Sequence, residues 1–487
     1  MEHFDVLIVG AGLSGIDAAY HLQKFCPGKT YVILEQRERI GGTWDLFRYP
    51  GIRSDSDMFT MGYSFRPWTH RNSISDGDAI RDYITDTACS EGIDRHIRFR
   101  HRIQRVAWSS AEARWTVEAI RKSDGESAEP VRMTCGFLFC CAGYYRYDAG
   151  YTPEFPGIDR FTGRIVHPQA WPEDLDYAGK RVVIIGSGAT AVTLLPAMAK
   201  IAAHVVMLQR SPTYVVSLPA RDAIANWLRR VLSLKWAYRL SRWKNIAYMM
   251  FVYQLAQRYP AWVKNGIIRK AQAELGSGYD VTTHFAPRYN PWEQRLCVVP
   301  DGDMFHAIRT GRASVVTDEI REFTANGIRL ESGRELQADL VVTATGLVLQ
   351  TTGGVKMNVD GCEVDAGQTL AYKGVMMSGV PNLAGVWLHQ CLLDSESRLN
   401  LRLCVPAAEF PDRKGVRQVT PEPSGEKPIA PFVVGFNPGY IQRDAANWPK
   451  QGSKPPWRVH QNYVRDIISL KWSSVDSEGL KFSNPPA

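Results

Sequence analysis

Six small residues in two short runs carry the first chemistry legible in this chain. In GAGLSG, Gly10, Gly12 and Gly15 have the spacing that receives a dinucleotide; in GSGATA, Gly186, Gly188 and Ala191 repeat it. A glycine in first place permits a tight turn. In second place it lets a pyrophosphate approach the backbone. A small third residue lets the next helix pack closely, with its N-terminal dipole toward the phosphates. Each run follows an apolar stretch, VLIV or VVII, and precedes a helix-compatible one, the order that gives such a motif its weight. The ribose ends differ. The apolar stretch after the first turn ends in Glu35, a carboxylate able to accept from both ribose hydroxyls. The stretch after the second, HVVMLQR, leads into Gln209, Arg210 and Ser211 with no acid. An acid there would repel a 2′-phosphate, whereas Arg210 binds one through a charge-assisted fork. The first site therefore expects a cofactor with a free ribose and the second NADPH; a surface arginine at a strand end is the plain alternative for Arg210.

Two dinucleotide turns in one chain imply an electron path from nicotinamide to flavin, which several flavoenzyme classes share. Disulfide reductases need a redox cysteine pair soon after the first turn, and Cys26 stands alone there. The nine cysteines are odd in number and scattered, with no C-x-x-C and no histidine at zinc spacing, so reduced thiols in a cytosolic protein and no metal site are expected.

Around these turns the chain must build two domains. Its 487 residues exceed one usual domain length, and 45% hydrophobic with 22% charged residues is ordinary globular composition. The expected organisation is α/β, with two Rossmann-like dinucleotide-binding domains. Residues 1–145 form the first part of the FAD domain. Residues 146–340 form the NADP domain, with a helical insertion at about 215–290, and 341–487 return to the FAD domain. No basic leader precedes the first apolar stretch, and no window reaches ~18 uninterrupted apolar residues, so neither a signal peptide nor a membrane span is expected. The net charge of +8 is concentrated between 221 and 270, where eleven Lys or Arg face one Asp among many aromatics. That stretch reads either as a surface for anionic lipid or as an insertion whose aromatics pack on its own domain with its charges solvated. No nucleic-acid module accompanies the charge.

Three further segments narrow the class. GGTWDLFRYPGIRSDSD, Gly41 to Asp57, follows the first ribose strand; its glycine pair lets the loop pass close to a flavin, and Trp44 offers an apolar wall. FTGRIVHPQAWP joins the two turns and matches F-x-G-x-x-x-H-x-x-x-W-P at Phe161, Gly163, His167, Trp171 and Pro172. ADLVVTATG, Ala338 to Gly346, suits a return to the flavin domain. Together these resemble the class B flavin monooxygenases of the Baeyer–Villiger branch, and the resemblance runs over nearly the whole chain through WPEDLDY, QRSPTY and YNPWEQRLCVVPDGD.

The resemblance implies that NADPH reduces FAD, that O2 adds to the flavin, and that the resulting peroxide attacks a lipophilic ketone or oxidises a sulfur compound. FAD contacts would fall on Gly10, Gly12, Ser14, Gly15, Glu35, Gly42, Thr43, Trp44, Asp45 and Asp55, with a backbone contact near Ile103. NADP would touch Arg53, Gly186, Ser187, Gly188, Ala189, Thr190, Ala191, Arg210 and Ser211. By the same resemblance Arg295, in YNPWEQRL, is the cation that keeps the attacking group deprotonated and stabilises the developing negative charge, with Asp55 holding its guanidinium. For His167 a structural role is expected: a hinge residue that couples the NADP position to the flavin site, with Trp171 and Pro172 stiffening the linker. The scattered cysteines lead one to expect a cytoplasmic protein, and the basic aromatic stretch 221–270 makes peripheral membrane contact one expectation.

One segment departs from the family pattern. Where GYTNASWTLKADL is expected, the chain reads WLHQCLLDSESRLNLRLCVPAAEF. Codons for GYTNASWTLK, read two nucleotides later as CTA CAC CAA TGC CTC CTG GAC TCT GAA, spell LHQCLLDSE, the sequence from Leu388 to Glu396. Residues 387–410 therefore read as a frame-shifted stretch, with the frame restored near Pro411, and retention of FAD is in question if the shift lies in the gene.

Overall fold

The computed structural model describes residues 1–122, 128–385, 415–431, 439–458 and 479–485. The segment 387–410, read above as frame-shifted, lies outside the described residues.

The first unit begins with β1 (Glu2–Val9), α1 (Leu13–Phe25) and β2 (Tyr31–Leu34). β1 pairs in parallel with β2, Val6 opposite Tyr31 and Val9 opposite Leu34, so the glycine turn leaves the sheet beside the strand that ends at Glu35. All four side chains of β2 are buried, as befits a strand covered on both faces. The chain then runs through α2 (Thr43–Leu46), α3 (Met58–Met61) and α4 (Gly77–Ser90) to β3 (Ile97–Arg98), β4 (His101–Ser109), β5 (Arg114–Arg121) and β6 (Glu129–Cys140). β6 returns alongside β1, in parallel register from Glu2 opposite Met133 to Val9 opposite Cys140. After the excursion into the second unit, Lys356–Val359 pairs with β4 and Leu383–Gly385 with β6, so one mixed sheet is built from segments before and after the second unit.

The second unit holds β7 (Arg164–Val166), β8 (Arg181–Ile185), α5 (Ala189–Met198) and β9 (His204–Gln209). β10 (Tyr214–Leu218) leads into four helices, α6 (Ala223–Val231), α7 (Leu234–Arg258), α8 (Pro260–Leu275) and α9 (Val281–Phe285). β11 (Leu296–Pro300) returns parallel to β10, α10 (Asp303–Arg309) and β12 (Ala313–Thr317) follow, and a small antiparallel sheet of β13 (Ile320–Thr324), β14 (Gly327–Leu330) and β15 (Glu335–Gln337) precedes β16 (Leu340–Thr343). The parallel sheet has the order β12-β9-β8-β16-β7.

The two chain crossings between the units pair with each other. The Arg146 N–H donates to the Val348 carbonyl (2.9 Å), the Tyr151 N–H to Gly346 (3.0 Å) and the Gln350 N–H to Tyr144 (3.0 Å). The connection is thus a two-stranded hinge.

The helical insertion divides its packing: Ala271 and Leu275 of α8 and Val281 and Phe285 of α9 join the core of its own unit, while α7 turns to the other. Its inner face is seated on the first unit: Tyr238 Oη donates to the Tyr63 carbonyl (2.8 Å), Arg242 Nη1 to the Phe59 and Gly62 carbonyls (2.9 and 2.8 Å), and Asn245 Nδ2 to Asp57 Oδ1 (2.8 Å). Several of its charges are consumed in holding the units together. No described helix is long and apolar enough to cross a membrane.

Candidate active site

At the first turn Gly10 adopts φ +96°, and a methyl there would lie 2.7 Å from the Cys141 carbonyl oxygen on the neighbouring strand, so only glycine fits. Glu35, buried at the end of β2, is fastened to that turn: Oε2 accepts from the Ala11 N–H (2.7 Å) and Oε1 from the Arg37 N–H (2.8 Å). Burial raises its carboxyl above the ordinary value, against these two donors. Each oxygen retains a lone pair for a ribose hydroxyl. Gly12, Ser14, Gly42, Thr43, Trp44 and Ile103 line the cleft that opens from this turn, and the Tyr147 hydroxyl, pushed up to about 12 by burial, is bonded to Thr43. A dinucleotide fits this donor set: backbone N–H groups for phosphate, an acid for the ribose and an aromatic wall for the ring.

Asp45 has a different setting from the direct contact expected of it. Its carboxylate, 1% exposed, is gripped by Arg37 (2.7 Å), Arg48 (2.6 Å) and Arg39 (3.2 Å). Its structural work is to fold the GGTWDLFR loop against the segment after β2. The rest of that loop crosses to the other unit. Phe47 and Tyr49 are buried in the hydrophobic cluster of the second sheet, and the Tyr49 hydroxyl is bonded to Thr190 on the first turn of α5. The sequence offered Tyr49 only as part of the RYPG run, with no role attached, and gave Phe47 no signal beyond its place after the glycine pair.

The second turn supplies the opposite wall. Ala189 and Thr190 line the same cleft as the first turn. Ser187 Oγ lies 2.9 Å from Thr213 Oγ1, tying the turn to the segment after β9. Gln209 is buried, its Nε2 donating to the His284 carbonyl and to Thr317 Oγ1, and so is committed to packing, whereas Arg210 and Ser211 are exposed beside the turn.

Arg295 packs against the second turn, just behind the Ala189 and Thr190 that line the shared cleft. A methyl on Gly188 would fall 1.7 Å from Arg295 Nη1, so the absence of a side chain at Gly188 is what admits the guanidinium. Its other face is covered by Tyr440, whose ring centre is 4.6 Å from the guanidinium carbon. Among the described residues no ion pair within 4 Å joins Arg295 to Asp55. The close contacts of the guanidinium are with Gly188 and Tyr440, and its charge is felt at Asp55 without a direct bond. Asp55 is open to the cleft and enclosed by protein elsewhere; this enclosure raises its carboxyl above the ordinary value, and Arg295 opposes the rise. Cys297, between them on the cleft wall, is pushed up to about 12 by burial and stays a thiol. Arg53 also lines the cleft, but its guanidinium is spent on Asp303 at the start of α10 (2.5 Å), bridging the units.

The linker motif divides its labour. Gly163 is free of a side chain because a methyl would meet the Phe161 ring at 2.5 Å and the Asp339 carbonyl at 2.7 Å, and Phe161 in turn packs on Phe323. Trp171 packs on the second unit's core and edge-on to Tyr177, and the half-buried Pro172 follows it. His167 lies between the crossings. Its Nδ1 accepts from the Gln169 N–H (3.1 Å), which leaves the proton on Nε2 to be donated to the Gly346 carbonyl (3.3 Å), and its ring presses on Gly150. Burial lowers its pKa, with the Gly346 and Tyr151 carbonyls opposing.

Sequence reasoning missed the short helix Gly439–Asp444. Besides Tyr440 on Arg295, it sets the Arg443 guanidinium 3.8 Å from the Tyr151 ring centre, while Asp444 Oδ2 accepts from the Leu349 N–H (3.0 Å), so it clasps the hinge as well as the site. Nothing in PGYIQRD marks that role.

A two-dinucleotide cleft on a paired hinge defines a class, and comparison with known proteins agrees: the chain belongs to the flavin-binding monooxygenase-like family, whose profile matches residues 4–352. It is a flavin-dependent monooxygenase. Among individual relatives, it is 52% identical to the FAD-containing monooxygenase EthA of Mycobacterium tuberculosis, over 100% of this chain and 99% of that protein. It is 44% identical to the probable FAD-binding monooxygenase AlmA of Acinetobacter baylyi, over 99% of this chain and 96% of that one. In fold it is similar to the polycyclic ketone monooxygenase of Thermothelomyces thermophila, with TM-score 0.80, 17% identity, and 100% and 90% of the two chains covered. An open crystal structure of cyclohexanone monooxygenase gives TM-score 0.76 at 19% identity, covering 99% and 100%.

Proposed function

We propose that this chain is an NADPH- and O2-dependent Baeyer–Villiger monooxygenase that converts lipophilic ketones to esters, with sulfoxidation of thioamides and thioethers as a related activity. The observation that carries the reading is the guanidinium of Arg295 on Gly188, in the turn whose next residues, Ala189 and Thr190, line the cleft together with the first turn. The names of its relatives support FAD as the bound cofactor and ketones as a substrate class. FAD, once bound and reduced by NADPH, supplies the activation of O2. The chain's own residues do the rest. The Gly10–Gly15 turn and Glu35 hold the FAD phosphates and ribose. Arg210 and Ser211 hold the 2′-phosphate of NADPH. Arg295 supplies positive charge that reaches the cleft wall at Asp55 and Cys297, on the side where a carbonyl oxygen would become negative. Asp55 moderates the charge from a distance, and the hinge around His167 keeps the two sites in register. Such substrates partition into lipid, and the chain meets them as a cytoplasmic protein at a membrane's inner face, through the basic aromatic helices.

The test offers the purified full chain, loaded with FAD, a panel of long-chain methyl ketones and a thioether, with products resolved by gas chromatography. Ester from a ketone is the expected product, lost in Arg295→Ala at unchanged FAD content. Sulfoxide without ester from any ketone would transfer the reading to a heteroatom-oxidising monooxygenase. A protein that neither holds FAD nor consumes NADPH would leave a nucleotide-binding fold alone, as damage at 387–410 would produce.

A further inference from the structure

Apolar exposure on the described surface is not scattered. Of sixteen large hydrophobic residues that are exposed, twelve lie between Ile224 and Trp262, on or beside α6, α7 and α8. Along α7 the outward positions Trp236, Leu240 and Phe251 are 57%, 45% and 64% exposed, and they recur at helical spacing. Ile224, Trp227 and Val231 do the same on α6. The opposite stripe of α7, with Ala237, Tyr238, Ser241 and Ile246, is buried on the first unit. A surface helix normally spends its one apolar face on the core and turns charge outward. This helix is apolar on both sides, and a contiguous exposed apolar patch of this kind marks an interaction surface.

The charges identify the partner. Interleaved with the outward apolar stripe are the exposed Arg221, Arg230, Lys235, Arg239 and Arg258, with the Arg239 guanidinium 5.5 Å from the Trp236 ring centre. The single acid of the stretch, Asp222, is committed inward, accepting from the Ala225 N–H (2.9 Å) and pairing with Lys244 (2.5 Å). A second copy of this face would set arginine and lysine against their own kind, which disfavours self-association. A bilayer with anionic headgroups answers both demands, because the aromatic rings enter the interface while the guanidinium and ammonium groups reach phosphate. The hydrogen bonds from Tyr238, Arg242 and Asn245 to the first unit hold the patch in shape beforehand, so little ordering is required on contact.

We infer that the outward face of α6 and α7 is a docking surface for an anionic lipid bilayer, on which the enzyme lies without crossing. The geometry stands by itself, and only its purpose, access to membrane-dissolved substrate, rests on the function proposed above.

The test is sedimentation of the full FAD-loaded chain with vesicles of phosphatidylcholine alone and of phosphatidylcholine mixed with phosphatidylglycerol, both free of ketone. Binding to the anionic vesicles is expected to exceed binding to neutral ones by at least about tenfold and to weaken as salt rises. Replacing Trp227→Ser, Trp236→Ser and Phe251→Ser together should weaken it by roughly a thousandfold, each ring contributing about an order of magnitude. The pair Lys235→Gln and Arg239→Gln, which touches no buried group, should weaken it several-fold and flatten the salt dependence. Equal binding to neutral vesicles, no loss in the serine variant, or a dimer that disperses in that variant without any vesicle binding would each overturn the inference. Turnover of a short, water-soluble ketone is measured alongside. Ester formation without vesicle binding removes this inference and leaves the proposed reaction standing, while vesicle binding without ester does the reverse.

Discussion

Replacement of His167 tests the hinge most directly. In His167→Ala the Gln169 N–H loses its acceptor at 3.1 Å and the Gly346 carbonyl its donor at 3.3 Å, and the space the ring filled against Gly150 is emptied. Each hydrogen bond is worth about 1 kcal/mol, and loss of the half-buried ring adds a comparable amount, so destabilisation of about 2–3 kcal/mol is expected. The protonation state adds a signature that packing alone lacks. Burial holds the folded pKa of His167 below its unfolded value of about 6.5, so the unfolded chain takes the proton first as pH falls. The stability this residue contributes is therefore complete above that pH and declines below it. His167→Gln removes the titration. Urea unfolding of the FAD-loaded chain at pH 7.5 and 5.5 should show the native protein losing more stability over that interval than the glutamine variant. Identical losses, or an alanine variant within about 0.5 kcal/mol of the native protein, would refute the reasoning. In the alanine variant NADPH consumption should also outrun product formation, because the two crossings no longer share a fixed point.

Other consequences are more local. Arg210→Ala should raise KM for NADPH by about tenfold, a charge-assisted bond discounted for exposure, and leave KM for NADH unchanged; equal effects on the two coenzymes in steady-state assays would remove Arg210 from the 2′-phosphate site. Asp45→Ala leaves Arg37, Arg39 and Arg48 facing one another around a buried gap. A loss of about 3–5 kcal/mol and release of FAD are expected, read by thermal unfolding and flavin absorbance, and retention of both would show the cluster to be dispensable. Tyr440→Leu withdraws the ring from Arg295 and should cut ester formed per NADPH a few-fold at unchanged FAD content. Undiminished coupling would show that Gly188 alone seats the guanidinium.

What the sequence determined by itself is what local geometry demands of residue type. Gly10 must be glycine because its turn needs positive φ and the neighbouring strand leaves no room for a methyl. Glu35 is legible as a carboxylate placed at the glycine turn because a strand of buried residues delivers it there. Arg210, the linker motif and the charge of residues 221–270 are likewise written in types and spacings a few residues long. Partners far apart along the chain were decided only by the tertiary structure. The seat of Arg295 is Gly188 and Tyr440, His167 bonds to Gly346, and Tyr49 joins the core of the unit it does not begin in. The same holds for the insertion, whose basic and aromatic composition was plain but whose inner face proved to be seated on the first unit. Backbone turns restrict residue identity within a few positions, whereas burial and packing choose among many chemically equivalent partners, and that choice exists only once the two units have closed on each other.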